Sequence, residues 1–384
     1  MSAPADTPIA PLESWRAAPA APGTALADVD TPALLVDLDA FEHNLAGVHD
    51  RIRATGISVR PHAKAHKSTD IARRQIAAGA RGICCQKASE AEVFVEAGIS
   101  DILITNEVVG PRKCERVARL ASRARIGVCV DHLEQVRQLG EAARRHLVRV
   151  EVLLEVDIGH GRCGIATAAD ALTLARALQP YRGHLVFGGI HAFRGSAQHM
   201  REPTERSQAV SDAVMQLRDI VGTLEGEGFH CATVTGGGTG TYLLEAESSL
   251  YTEVQPGSYV LMDTDYAANR TLGDTPALRH ALFGLCTVIS VRPDHAVLDG
   301  GLKAFAVDQG LPRVVHQGWT VKSLSDEHTV ILRGRDAAPL SVGSKVRILP
   351  SHCDPTVNLH DWLVAVRGDV VEELWPVSAR GALF

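Results

Sequence analysis

From Asp30 onward, short apolar runs alternate with longer stretches whose apolar positions recur at helical spacing. The run "TPALLVDLDAF" reads as a strand, and Leu45, Val48 and Ile52 mark one face of a helix from Glu42 to Thr55. "RGICCQ", "DILITNE", "RIGVCVD", "VEVLLEVD", "HLVFGGIHAF" and "CATVTGGG" follow as further strands. Between them lie helices marked by Ala91 and Val95, by Pro111 to Ala124, Leu133 to His146, Ala168 to Leu178 and Glu205 to Glu227. Strands separated by helices of about 10–15 residues argue for parallel βα units. Seven or eight such units over about 230 residues suit a closed (β/α)8 TIM-like barrel better than an open sheet. After about residue 270 the texture changes to strand-like runs closed by Gly, Asp or Pro, such as "ALFGLCTVISVRP", "HTVILRG" and "VRGDVV". The predicted class is therefore α/β, with a barrel over 30–268 and a smaller, mostly β domain over 269–384. The Ala- and Pro-rich extension over 1–29 is expected to pack on the β domain.

Composition narrows the setting. The chain has 384 residues, a formal charge of −6, 45% hydrophobic and 22% charged residues, which leaves no basic footprint for nucleic acid or an anionic membrane. No apolar run approaches the ~20 residues that span a bilayer, and the N-terminus has no basic start followed by an apolar core. The eight cysteines form no CxxC pair, so free thiols in a reducing cytoplasm are expected.

Candidate chemistry falls just after the predicted strands, where barrel enzymes place it. In "SVRPHAKAHKS", Lys64 follows a strand in an apolar, histidine-rich setting, where desolvation would disfavour its ammonium form and leave an amine able to attack an aldehyde. Taken alone, Lys64 or Lys67 reads equally as a surface lysine. "VTGGGTGTY" offers backbone N–H groups at Gly238, Thr239 and Gly240 that suit a phosphate dianion or simply a tight turn. Arg162, in "EVDIGHGRCGI", could face a ring nitrogen as a permanent donor, or form a surface ion pair. In "LPSHCDPTVNLHDW", His352 and Asp354 at i and i+2 share one face of an extended strand and suit Mn²⁺ or Mg²⁺, though a solvated pair reads as well.

Taken together, these segments supply a family context. "TPALLVDLDAFEHNL", "RPHAKAHKS", "GICCQKASEAEVFVEAGISDILITNEVVGP", "EVDIGHGRCGI", "GSAQHM", "GGGTGTY", "YTEVQPGSYVLMD" and "HCDPTVNLHDW" resemble the fold-type III pyridoxal-phosphate enzymes, in the subgroup of D-threonine aldolase, 3-hydroxy-D-aspartate aldolase and D-serine dehydratase. The resemblance runs from about Asp30 to the C-terminus. It implies pyridoxal 5′-phosphate attached to Lys64, with Arg162 near the pyridine nitrogen. Gly238, Thr239, Gly240, Ser258 and Tyr259 would form the phosphate pocket. It also implies a divalent metal, Mn²⁺ ahead of Mg²⁺, on His352 and Asp354, and a proton-transfer role for His199. Related dehydratases resemble a His-x-Cys pattern, so Asp354, a harder ligand, favours the aldolase side. The implied reaction cleaves a D-3-hydroxy amino acid to glycine and an aldehyde in a cytoplasmic homodimer. A 3-hydroxy-D-aspartate aldolase, a dehydratase of D-serine or D-3-hydroxyaspartate, and a non-catalytic cofactor carrier are the alternatives.

Two departures stand out. The aldolase pattern Gln-Ala-Tyr is replaced by His191, Ala192 and Phe193, and Arg194 follows where His or Gln is usual. An added cation and imidazole beside the cofactor would favour a substrate with a second carboxylate, or another reaction. Gln86 and Glu107 are strand-end candidates for tuning the cofactor ring, and Asp326, Glu327 and His328 for reaching a partner's site, with core or surface roles equally open.

Overall fold

The computed structural model describes residues 17–271, 273 and 275–384. Its strands are β1 (Ala33–Asp37), β2 (Ser58–Val59), β3 (Ile83–Cys85), β4 (Asp101–Glu107), β5 (Arg125–Val130), β6 (Val150–Glu155), β7 (Leu185–Ala192), β8 (Thr233–Gly236) and β9 (Glu253–Val254), with β10 (Leu282–Val291) to β17 (Val370–Pro376) beyond. Eight parallel strands run in the order β2-β9-β8-β7-β6-β5-β4-β3. A parallel bridge between His62 and Cys84, with Cys84 N–H donating to Pro61 O at 2.8 Å, joins the two ends and closes the barrel. An apolar core of Ile83, Ile102, Ile104, Val128, Val152, Leu154 and Ile190 binds strands to surrounding helices such as Pro111–Ala121 and Leu133–His146. At the barrel floor Arg60, 4% exposed, pairs with Glu253 at 2.9 Å and Asp101 at 2.6 Å, so the buried guanidinium is fully countered.

Strand β1 lies elsewhere than its place in the βα series suggests. It pairs antiparallel with β10 and parallel with β16 (Trp362–Arg367), inside the second sheet. The barrel therefore starts at β2, and its eighth strand is β9, inside "YTEVQPGSY". An apolar run reports burial but not which sheet buries it. The apolar run is also shorter than it reads: the Asp37 carboxylate accepts from Ala40 N–H at 3.0 Å and starts helix α1 (Leu38–Arg53) ahead of the expected Glu42.

The second sheet, built on β10, β15 (Lys345–Leu349), β16 and β17, continues through β11 (His295–Leu298) and the hairpin of β13 (Trp319–Leu324) and β14 (Thr329–Arg333). Residues 23–26 pair with β17 and the turn before it through Gly23 N–H to Val371 O and Leu26 N–H to Asp369 O, both 2.8 Å. The described part of the N-terminal extension thus lies on the β domain; residues 1–16 lie outside the described residues. No helix among those described is long and apolar enough to cross a membrane.

Candidate active site at the barrel mouth

The loops after the barrel strands converge on one open cavity, lined by Lys64, Gln86, Arg162, Thr239 and Ser258 among others. Each comes from a different strand end. Lys64 sits in a helical turn, Ala63–Ala65, after β2. His62 fixes that turn: its Nδ1 accepts the Lys64 backbone N–H at 3.3 Å, so Nε2 carries the proton and donates to Thr105 Oγ1 at 2.9 Å. Burial, with the Lys64 charge beside it, pushes His62 well below the ordinary histidine range and keeps it neutral.

Arg162 rides a loop after β6 that the backbone closes through the Val156–Ile165 bridge. The Asp157 carboxylate accepts from the N–H groups of Gly159, His160 and Gly161 at 2.8–3.1 Å. Gly164 adopts φ +109, and a Cβ there would lie 2.5 Å from Asp157 N, so the loop needs glycine at that point.

The glycine loop after β8 meets the cavity through Gly237, Gly238 and Thr239. Thr239 Oγ1 is buried without a hydrogen-bond partner, while a Cβ on Gly238 would come 2.5 Å from Gln198 Oε1. An orphaned hydroxyl beside backbone that only glycine can supply is a fitting cradle for a phosphate group. Two residues expected there are placed otherwise. The Gly240 N–H is held by Gln198 Oε1 at 3.0 Å. The Tyr259 side chain is fully buried in the core, its hydroxyl against His49 Nε2 at 2.8 Å and Gln75 Nε2 at 3.2 Å. Successive residues of the short turn Ser258–Val260 point apart, so Ser258 faces the cavity and Tyr259 the core.

The β domain approaches the cavity beside Lys64 and Ser258. His352 is extended and caps a short helix, Cys353–Val357, so Asp354 lies in a helical turn and not on the extended strand expected. Cys353 does not point to the opposite face either: its buried thiol donates to Asp354 Oδ1 at 3.3 Å. Asp354 contacts Lys64 Nζ and accepts from Ser258 Oγ at 3.1 Å. His352 Nδ1 lies 2.6 Å from Asp308 Oδ2, an arrangement in which Nε2 is the nitrogen able to take a metal. One imidazole nitrogen oriented by a carboxylate, and one hard carboxylate beside it, fit a divalent cation completed by water.

Electrostatics corrects one expectation. Burial pushes the Lys64 ammonium down, yet the Asp354 carboxylate in contact outweighs it, and the lysine titrates above its ordinary value. Asp354 would be pushed up by burial, but the Lys64 ammonium holds it well below the usual carboxylate range. Burial likewise opposes the charged form of His191, and the Glu155 carboxylate in contact with Nδ1 raises it above the usual value. His191 lines the cavity; Arg194 does not, because its guanidinium donates to Ile158 O at 2.5 Å and packs over Gly159. The cation added at that position therefore braces the Arg162 loop.

Gln86 lines the cavity with its amide on Thr105 O at 3.2 Å, whereas Glu107 lies outside it, clustered with Asp131 and Cys163. Asp326, Glu327 and His328 form an exposed turn between β13 and β14. His199 sits beside the cavity, its ring 5.0 Å from that of Tyr266, which lines it. Tyr266, Thr105, Gln255 and Asp308 escaped the reading of the sequence, since none lies in a motif with its own chemical signature. His62 had a signal, sitting two residues before Lys64.

Residues 36–265 match the family model described as alanine racemase, N-terminal domain, and residues 281–366 one described as putative serine dehydratase domain. The chain belongs to the fold-type III pyridoxal-phosphate enzymes. It is 46% identical to D-threonine aldolase from Arthrobacter sp, over 94% of this chain and 96% of the relative. Identity to 3-hydroxy-D-aspartate aldolase from Paracoccus denitrificans (strain Pd 1222) is 43%, over 94% and 95%. A crystal structure of D-threonine aldolase from Filomicrobium marinum superposes with a TM-score of 0.93 at 45% identity, covering 96% of this chain and 100% of that one. Among fold-type III chains, the barrel with its β domain is thus shared with aldolases along nearly the whole length.

Proposed function

We propose that this chain is a pyridoxal-phosphate- and divalent-metal-dependent aldolase cleaving D-3-hydroxy amino acids, threonine-like in side chain, to glycine and an aldehyde. The observation that carries the reading is the direct contact of Asp354 with Lys64, which lines one cavity together with Arg162 and Thr239. An amine able to hold the cofactor and a carboxylate able to hold a metal thereby meet over one substrate position. Pyridoxal phosphate, when bound, supplies an aldehyde carbon and an electron sink for the charge left when a Cα–Cβ bond breaks. A divalent cation, Mn²⁺ ahead of Mg²⁺, would be held by His352 Nε2 and Asp354 and would lower the pKa of a substrate hydroxyl.

The chain's own residues do the rest. Lys64 provides the amine, and neutral His62 fixes the turn that presents it. Thr239 Oγ1, Gly237, Gly238 and Ser258 would receive the phosphate. Arg162 would donate to the ring nitrogen and could not protonate it, because guanidinium stays charged. Gln86 and Phe193, which line the cavity, would bound the ring. His199 accepts the 3-hydroxyl proton. Since Arg194 is occupied at Ile158, no side chain is added at 194 to hold a second carboxylate, which favours threonine-like substrates over 3-hydroxyaspartate. The proposal extends to a homodimer in the cytoplasm, where the eight free cysteines stay reduced.

Product analysis with D-threonine tests the reading. Glycine and acetaldehyde are expected, abolished by EDTA and restored by Mn²⁺. A dehydratase, favoured by the family match of residues 281–366, would give 2-oxobutanoate and ammonia instead. No turnover of any D-3-hydroxy amino acid with Mn²⁺ present would point to a cofactor carrier.

A further inference from the structure

The segment Asp263-Thr264-Asp265-Tyr266 spans the distance between the two sides of the site. On one side Asp263 Oδ2 accepts the Cys353 backbone N–H at 3.0 Å, and Thr264 N–H donates to Pro350 O at 3.1 Å, so the segment is pinned to the stretch bearing His352 and Asp354. Asp263 Oδ1 also accepts Tyr266 N–H at 2.9 Å, which locks the turn. On the other side Asp265 Oδ2 lies 2.5 Å from His199 Nδ1, an ion-pair approach without hydrogen-bond alignment, and the Tyr266 ring lies 5.0 Å from the imidazole, tilted by 36°. Asp265 is only 7% exposed and its other oxygen contacts the Arg201 guanidinium, so the carboxylate has one orientation. Arg201 Nη1 further donates to Asp265 O at 2.7 Å and Asn269 Oδ1 at 2.6 Å, and Asn269 Nδ2 to Gln198 O at 2.8 Å. The stretch around His199 is thus clipped to this segment on both flanks.

We propose that Asp265 is the positioning residue for His199, fixing its imidazole with the proton on Nδ1 and a free electron pair on Nε2, in register with His352 and Asp354. A carboxylate against one ring nitrogen selects the tautomer that leaves the other able to accept a proton. The tilted Tyr266 ring bounds the imidazole on one side. The inference rests on the reading of His199 as the base for the 3-hydroxyl; Asp265 touches no reacting atom and acts through the imidazole alone.

A double-mutant cycle tests this on the full chain loaded with pyridoxal phosphate and Mn²⁺, with D-threonine as substrate. Asp265→Asn lowers kcat about 10- to 100-fold, with KM within about twofold. In a His199→Gln background the same change costs less than about twofold, because the residue it orients is gone. Equal losses in both backgrounds, or no loss from Asp265→Asn alone, overturn the proposal. A His199→Gln enzyme that keeps its kcat within about threefold removes the base reading itself, a separate failure. A measurement on the unmutated protein needs no variant to fold: ¹⁵N-histidine spectra of the Mg²⁺-loaded chain place the His199 proton on Nδ1, with His199→Gln used only to assign the signal. A proton found on Nε2 overturns the tautomer and the positioning role with it.

Discussion

Glu245 lies beneath the glycine loop, and a Cβ on Gly237 would meet its Oε2 at 3.0 Å. The carboxyl is 1% exposed; Oε1 accepts the Thr241 hydroxyl at 2.8 Å and Oε2 has no partner. Burial raises it from 4.5 to about 7 against the weaker pull of the Thr241 hydrogen bond. A folded-state value above the unfolded one means that the native chain binds the extra proton, so this group's stabilisation is present below pH 4.5 and lost as pH climbs through about 7. Each tenfold step is worth about 1.4 kcal/mol, so going from pH 5 to pH 8.5 should remove about 2–3 kcal/mol. Glu245→Gln keeps the shape and deletes the titration. Any fixed cost of the new amide is the same at both pH values, so the informative quantity is how the gap between mutant and parent changes. Thermal unfolding of both proteins should show the mutant gaining on the parent by about 3 °C between pH 5 and 8.5, taking roughly 0.8 kcal/mol per degree for a chain of this size. A gap independent of pH would mean that Glu245 is not a buried acid held neutral, and the reasoning fails.

Two further tests bear on the site. Borohydride reduction of the cofactor-loaded protein followed by peptide mapping should label Lys64, and Lys64→Ala should lose both the yellow colour and the activity; a label at Lys67 would refute the assignment. Arg194→Gln should raise KM for D-threonine and for D-3-hydroxyaspartate to similar extents, within about twofold of each other, and cost about 1–2 kcal/mol of stability, since the guanidinium braces Ile158. A selective loss of affinity for 3-hydroxyaspartate, read from steady-state kinetics, would restore Arg194 to substrate recognition.

Much of this protein was legible in the residue order. Alternating strand and helix periods specify parallel βα units, because such strands need crossover helices to return the chain. The positions of Lys64, Arg162 and the glycine loop after strands place them at one barrel mouth, since every parallel strand delivers its following loop to the same end. Tertiary structure alone decided the rest. Local period cannot say which sheet takes β1, and it went to the β domain. Distance along the chain hides the contacts that set the chemistry: Asp354 reaches Lys64 across 290 residues and reverses the effect of burial on its charge. Ser258 faces the cavity while its neighbour Tyr259 faces the core, and Asp265 finds His199 from 66 positions away. Burial and ionisation depend on what surrounds a group in space, and a linear chain carries that information only once it has folded.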